Sequence, residues 1–451
     1  MLHTMKSPIS LLFALLVSQT ATATSTAFVN VNVVPMSSHT VVTEQTVVVE
    51  DGIIIAIGNV ETVSVPLDAE VIDGTDRYLI PGLAEMHAHV SDANSPDLDR
   101  TFSLFIANGV TTIRGMLGQP SHLRLRQQIK NGDVFGPRLV TSGPSFSGNS
   151  VSGAADAIRK VRAQNEAGYD FIKIHAGLSA AEFAAIADTA NELGMPFGGH
   201  VPVAVGVEKA LAAGMATIDH LDGYFAALMP PDSDGAGGYG GFLDILLADD
   251  VGGNRIDAIA AASASAGTWN VPTLSLFEHR VSEVTVTDLR SRPEMRYMPR
   301  STVNDWVAAK ERQLSERGFN PQLAARAIAI RRQLIHALHK AGAGLLLGSD
   351  APQVFNVPGF SLHRELGFLV KSGLTPFEAL QTGTTAVAEF FGTNTGMVAA
   401  GREADLVLLN ANPLEDIANT RRIHGVMVRG SWYSAARLEN RLSVYLSSAD
   451  R

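Results

Sequence analysis

The sequence contains no cysteine. Thiolate metal sites, iron–sulfur clusters, disulfides and cysteine nucleophiles are therefore excluded, and any metal must be held by His, Asp, Glu or a less ordinary group. Charge is also sparse, with charged residues at 18% of the chain against a globular norm of about 25%. Basic residues number 35 against 45 acidic ones and form no dense run, so nucleic acid is not an expected partner. Nowhere is there an apolar run of the ~20 residues that a bilayer span requires. What is abundant is apolar residue, at 46%, which supplies a sizeable core. At about 150 residues per domain, 451 residues accommodate three domains, or one large barrel with an accessory piece.

Near the N-terminus Lys6 precedes the apolar run Ile9 to Val17, and Ala21-Thr22-Ala23 follows with the small residues a signal peptidase reads. Residues 1–23 are expected to be a cleaved signal peptide, which makes the mature protein secreted or periplasmic and free of the membrane. Residues 24–81 are rich in Val, Ile and Thr, and Asp51-Gly52 sits between two β-prone runs as a hairpin turn. Residues 397–451 return to β character in GREADLVLL (401–409) and GVMVRGSWYS (425–434). The two ends are expected to build one small composite β-sandwich domain.

Residues 82–396 read as short β runs alternating with helices. The runs are LIPGLAEMHAH ending at His89, then 110–116, 138–143, 169–175, 195–200, 216–220, 270–276 and 344–350. Between them Phe183, Ile186, Ala187, Ala190 and Leu193 repeat at helical spacing ahead of Gly194, which predicts a helix over 180–194. Eight strand–helix units in series predict an α/β fold, a (β/α)8 TIM barrel. Two stretches break the rhythm, 222–250 and 277–320, and both follow strands, where barrel loops form the active-site rim.

His87 and His89 are two residues apart, so in a strand both imidazoles face one way. Lys173 lies between Ile172 and Ile174 and is expected to face the barrel interior, where a charged lysine is costly. A buried ion pair and a carbamate formed with carbon dioxide both answer that cost, and spacing does not choose between them. His200 and His220 each close a strand, at steps that fit one strand–helix unit. Asp350 tips the apolar run GLLLGSD; alone it would read as a helix cap. Six ligand-type groups at one barrel mouth point to metal, with nitrogen and oxygen donors suited to zinc, and also to manganese, iron or cobalt. A metal-bound water has its pKa lowered from about 15.7 to about 7, giving hydroxide for attack at neutral pH, with Asp350 as the expected proton carrier.

These residues resemble the amidohydrolase superfamily, in its imidazolonepropionase-like and Xaa-Pro-dipeptidase-like branch. The matching text is Pro81-Gly82-Leu83, Glu85 to His89, Ile172-Lys173-Ile174, His200, Ile218-Asp219-His220, Gly348-Ser349-Asp350 and Gly401 to Leu409. The resemblance implies two divalent metal ions, with zinc the expected metal: His87 and His89 with Asp350 on one, His200 and His220 on the other, and N6-carboxylated Lys173 between them. It implies hydrolysis of an amide-type C–N bond of a small molecule such as a dipeptide or N-acyl amino acid. Alternatives are ester, lactone or phosphotriester hydrolysis, or a catalytically silent ligand-binding barrel. Residues 142–151 read SGPSFSGNSV where many dipeptidase-like relatives carry a glycine- and histidine-containing stretch, so a peptidase substrate does not carry over directly. Tyr224, four residues past His220, is a candidate substrate-binding residue. His175 shares the face of Lys173, and Arg280, Arg290, Arg292, Arg296 and Arg300 form a cluster that suits either a carboxylate or solvent. A homo-oligomer is compatible with the chain.

Overall fold

The computed structural model describes residues 25–230, 244–316 and 319–446. The expected signal peptide lies outside the described residues, as does part of the 222–250 stretch. Among the described residues no helix is long and apolar enough to cross a membrane.

The N-terminal strands are β1 (Ser25–Val33), β2 (Val42–Glu50), β3 (Ile53–Asn59), β4 (Glu70–Asp73) and β5 (Tyr78–Pro81). Parallel strands follow as β6 (Leu83–Ala88), β7 (Val110–Gly115), β8 (Arg138–Thr141), β9 (Ile172–Ile174), β10 (Phe197–Gly199), β11 (Thr217–Asp219) and β12 (Trp269–Val271). The chain ends with β13 (Leu406–Leu409), β14 (Ile423–Val428) and β15 (Ser431–Ser434). Asp51 and Gly52 join β2 to β3 with both φ angles positive, at 48° and 78°, as a two-residue hairpin of matching twist requires.

Strands from both ends of the chain share one eight-stranded sheet, in the order β15-β14-β13-β5-β1-β2-β3 with β4 beside β1. The junction is the antiparallel ladder of β13 on β5, from Leu406 opposite Pro81 to Leu409 opposite Tyr78. The expected sandwich of two sheets is corrected to a single sheet that curls back on itself. Ile54 N–H donates to Arg402 O and Ala404 N–H to Gly52 O, tying β3 to the residues leading into β13. Phe28, Val47, Ile54, Leu79, Leu406 and Met427 fill the enclosed face. The opposite face packs on the main core through Ile80, Val407, Leu409 and Val426.

The parallel strands form two ladders, β6-β7-β8 and β9-β10-β11-β12. A parallel bridge from Ser142 to Phe171 links one to the other, a second runs from Asn270 to Leu345, and a third from Ala88 to Ala351. Met86 N–H donates to Leu347 O at 2.8 Å and Leu346 N–H to Asn270 O at 2.9 Å, so residues 344–351 bond to a strand on either side. They form no regular strand, because donors are diverted: Leu347 N–H goes to Thr382 O and Ser349 N–H to the Glu85 carboxylate. The expected strand over 270–276 also stops early. Pro272 has no N–H to offer, Thr273 takes a left-handed φ of 49°, and the Glu365 carboxyl group accepts from Leu274 N–H and Ser275 N–H. Those bonds open the helix Leu274–Val281. The helix expected over 180–194 spans Ala180–Glu192, with a capping box between Ser179 and Glu182, and buries Phe183, Ile186, Ala187 and Ala190.

Candidate metal centre and active site

Five of the six expected ligands sit in or just past a parallel strand: His87 in β6, His89 beyond it, Lys173 in β9, His200 after β10 and His220 after β11. Asp350 closes the irregular 344–351 segment with a φ of 61°. Such C-terminal strand ends are where barrel enzymes place their chemistry. The structure brings all six onto one cavity of about 360 Å³. His89 Nε2 is 2.8 Å from Asp350 Oδ1, His87 Nε2 is 3.7 Å from the same oxygen, and His220 Nδ1 is 3.8 Å from Asp350 Oδ2. Ring centroids of His87 and His220 are 4.5 Å apart, and those of His200 and His220 are 4.6 Å apart. His87, His220 and Asp350 each offer a donor atom within 4.8 Å of the others, which makes them a possible metal site. A larger cavity, about 600 Å³, opens at the opposite strand ends beside Thr112, Thr217 and Trp269 and touches none of these donors.

Each inner imidazole has an orienting partner on Nδ1. His87 Nδ1 lies 2.7 Å from Asp219 Oδ2, His200 Nδ1 lies 2.5 Å from Asp222 Oδ2, and His220 Nδ1 lies 2.8 Å from Thr273 Oγ1. For His87 and His200, a carboxylate that accepts the Nδ1 proton leaves the Nε2 lone pair for a metal. Asp219 is in turn held by buried Arg114, whose Nη2 donates to it at 3.2 Å while Nε donates to Met86 O. Burial alone would raise the Asp219 carboxyl, but Arg114 and then Lys173 bring it below its ordinary value. Burial, reinforced by Lys173 against the opposing Asp350, takes His87 well below the usual imidazole range, and burial with His87 and His200 does the same to His220. Both rings are therefore neutral, the form that ligates.

The Asp350 carboxyl is desolvated, which raises it, yet His87, His89 and Lys173 together hold it below the ordinary carboxylate range. Its strand end is braced by Glu85, which accepts from His87 N–H at 3.0 Å and from Ser349 N–H at 2.7 Å. Lys173 is 2% exposed and its Nζ is buried with no hydrogen-bond partner. Burial lowers the pKa of this amine, opposed in part by Asp219 and Asp350.

The Tyr224 expectation is corrected. Gly223, at a φ of 79°, opens the short helix Tyr224–Leu228, which turns the ring into the core. The Tyr224 hydroxyl donates to Asn270 Oδ1 at 2.7 Å and lies 3.0 Å from Ser263 Oγ, so it does not line the cavity that holds the six expected ligands. Of the arginine cluster, Arg280 lines that cavity with Leu276 and Gln353, whereas Arg290, Arg292, Arg296 and Arg300 do not. His175 stands at its exposed mouth. Sequence reasoning missed Asp219, Asp222, Thr273, Arg114 and Glu85 as supporting groups. The alternation Asp219-His220-Leu221-Asp222 is the one local signal that pointed to two of them.

A family model described as the amidohydrolase family matches residues 78–433. The chain belongs to this family. It is accordingly a hydrolase acting on carbon–nitrogen bonds, in a metal-dependent family whose substrates are small molecules. Among curated proteins it is similar to ochratoxinase of Aspergillus niger, 24% identical over 367 residues that cover 75% of this chain and 71% of that protein. It is also similar to enamidase of Eubacterium barkeri, 23% identical over 383 residues and 83% of each chain. Among solved structures, bottromycin amidohydrolase superposes with a TM-score of 0.71 at 26% identity, over 94% of this chain and 90% of that one. A Xaa-Pro dipeptidase with bound methionine superposes with a TM-score of 0.63 at 19% identity, over 91% and 100%, a likeness of fold.

The donor set fits divalent metal. It offers imidazole nitrogens and carboxylate oxygens without thiolate, and the orphaned Lys173 amine stands among them with nothing to neutralise it at hydrogen-bond distance.

Proposed function

We propose that this chain is a binuclear amidohydrolase in which His87, His89 and Asp350 hold one divalent cation, His200 and His220 hold a second, and carboxylated Lys173 bridges the two. The observation that carries this reading is the Lys173 amine, buried, unpartnered and beside four imidazoles. A neutral amine adds to carbon dioxide with loss of one proton, forming a carbamate anion that would satisfy both the buried nitrogen and two cations. Zinc suits the donors best.

Bound divalent cations would supply Lewis acidity, lowering the pKa of water from about 15.7 to about 7 and polarising the scissile carbonyl. The chain's own groups do the rest. Asp350 is ionised at neutral pH, so its carboxylate takes the proton of the attacking water and returns it to the leaving nitrogen. Asp219 and Asp222 fix the tautomers of His87 and His200. Arg280, at the cavity rim, is placed to pair with a substrate carboxylate, which favours N-acyl amino acids and dipeptides as substrates. The names of the similar proteins, an ochratoxinase and a Xaa-Pro dipeptidase, support an amide as the bond cleaved.

In the same reading residues 82–396 are a (β/α)8 barrel, the two ladders and their bridging residues being its wall. Residues 24–81 with 397–451 are its composite β-domain, and residues 1–23 are an export signal that places the enzyme in the periplasm or outside the cell. The test is a hydrolysis screen of the zinc-supplemented protein over N-acyl amino acids, dipeptides, lactones and aryl esters, with Asp350→Asn and Arg280→Ala beside it. Asp350→Asn is expected to keep most of its metal and lose about 10²–10⁴-fold in kcat. Arg280→Ala is expected to raise KM for carboxylate-bearing amides and leave their neutral amide analogues unaffected. Normal turnover by Asp350→Asn, or no amide among the substrates, would refute the assignment.

A further inference from the structure

A second cavity, of about 360 Å³, lies on the other side of the Leu274–Val281 helix from the metal centre. That helix turns Leu276 and Arg280 towards the catalytic cavity, and Glu278 and His279 towards this one. Cationic side chains from three separate segments converge on the second cavity. Arg292 comes from the loop ahead of the Pro293–Tyr297 turn, Arg364 and Lys371 from the helix Phe360–Lys371, and Arg421 from the turn Ile417–Arg421.

The local carboxylates are already engaged. Glu278 pairs with Arg332 at 2.6 Å, and Glu294 pairs with Arg364. Among the described residues Arg292, Arg421 and Lys371 have no carboxylate within 4.0 Å. Arg292 Nη1 instead donates to the neutral, buried His279 Nε2 at 2.7 Å. Lys310 adds a further cation beneath, fully buried, with its Nζ donating to His279 O and Ser282 O. Burial and the charge of Arg364 bring Arg292 down to about 10, the behaviour of like charges crowded together out of water.

We propose that this cavity binds the phosphate group of a small phosphate monoester. The donors approach from different directions. A planar carboxylate offers two oxygens in one plane, whereas a phosphate offers three terminal oxygens and up to two charges, which suits guanidinium forks on separate segments. The cavity also has apolar wall, from Val284, Ile417 and the Phe368 ring, for an organic portion. This inference does not depend on the catalytic reading.

The test uses the full, metal-loaded protein at constant ionic strength, titrated calorimetrically with inorganic phosphate and with phenyl phosphate, with sodium chloride and acetate as controls. Phosphate also has affinity for metal ions, so the same titration on the Arg292→Gln, Arg421→Gln double variant measures what the metal centre contributes. The expected result is saturable phosphate binding in the wild type that the double variant weakens by at least about tenfold, with phenyl phosphate binding at least as tightly as inorganic phosphate. Lys371→Gln changes a rim residue whose side chain stacks on Phe368 at 5.2 Å. It should fold normally and weaken phosphate binding measurably. Absence of phosphate binding to the wild type, equal affinity in the double variant, or unchanged affinity in Lys371→Gln would each overturn the proposal.

Discussion

Gly199 stands directly against the amine of Lys173: a Cβ at position 199 would lie 2.9 Å from Lys173 Nζ and 2.8 Å from its Cδ. It would also lie 2.5 Å from Ile174 O, and the backbone there has a φ of 123°. Only glycine fits both the conformation and the space. The space beside the amine exists because β10 ends in glycine.

Gly199→Ala is therefore expected to lose bound metal and activity together, with backbone strain of about 1–3 kcal/mol added. Gly194→Ala is the control, since φ is 65° there and nothing lies within 4 Å of the added carbon. It should be destabilised by about 1–2 kcal/mol with its metal intact. Metal analysis and denaturant midpoints on the two variants check this; equal metal content would show that the gap beside Lys173 is unimportant.

Asp219 couples His87 to Arg114, and its loss should be felt at the metal. Asp219→Asn is expected to weaken metal affinity by about 10–100-fold, because the amide no longer enforces the Nδ1–H tautomer of His87. Competition with a coloured chelator measures it. An affinity within error of wild type would remove Asp219 from the account.

Tyr224→Phe should leave KM and kcat unchanged for any substrate found. Its effect belongs to stability, about 1–3 kcal/mol, since Asn270 Oδ1 then loses its buried donor. A KM change without a stability change would restore a substrate role to Tyr224.

Burial pushes the Glu365 carboxyl up to about 8, against the hydrogen bonds it accepts from Ser275 and Leu274. Between its ordinary value of 4.5 and about 8 the folded chain keeps a proton that the unfolded chain has released, so stability falls as pH rises through that window and levels off above it. Glu365→Gln should flatten this slope in part, because buried Glu85, also raised to about 8, contributes another share. The variant should also be less stable at low pH, by about 1–3 kcal/mol, as one backbone N–H loses its acceptor. Urea midpoints across the window decide it; an unchanged slope would mean Glu365 is ionised throughout.

Five of the six ligand-type residues were legible because each lies in or just past a strand, and the steps from Lys173 to His200 to His220 each fit one strand–helix unit. The hairpin at Asp51-Gly52 and the helix beginning at Ala180 were legible for the same reason, since local turn and capping chemistry decides them. What escaped was decided at long range. The strand after Asn270 is cut short by Glu365, 91 residues from the Leu274 N–H it accepts. The place of Tyr224 escaped because Gly223, at a left-handed φ of 79°, opens a short helix that carries the ring into the core. Strand periodicity shows which residues alternate faces, and cannot tell two stacked sheets from one sheet that curls until Ile54 meets Arg402. Arg114 looks unremarkable locally; its role appears only when β7 and β11 are brought together and its guanidinium meets Asp219.

The central claim is that Lys173 holds two cations together, and metal stoichiometry tests it most directly. Zinc-supplemented wild type should contain about two equivalents per chain, and Lys173→Ala about one or fewer, with acetate or propionate restoring part of the lost metal and activity. Identical stoichiometry in the two proteins would contradict the carbamate bridge and with it the binuclear mechanism.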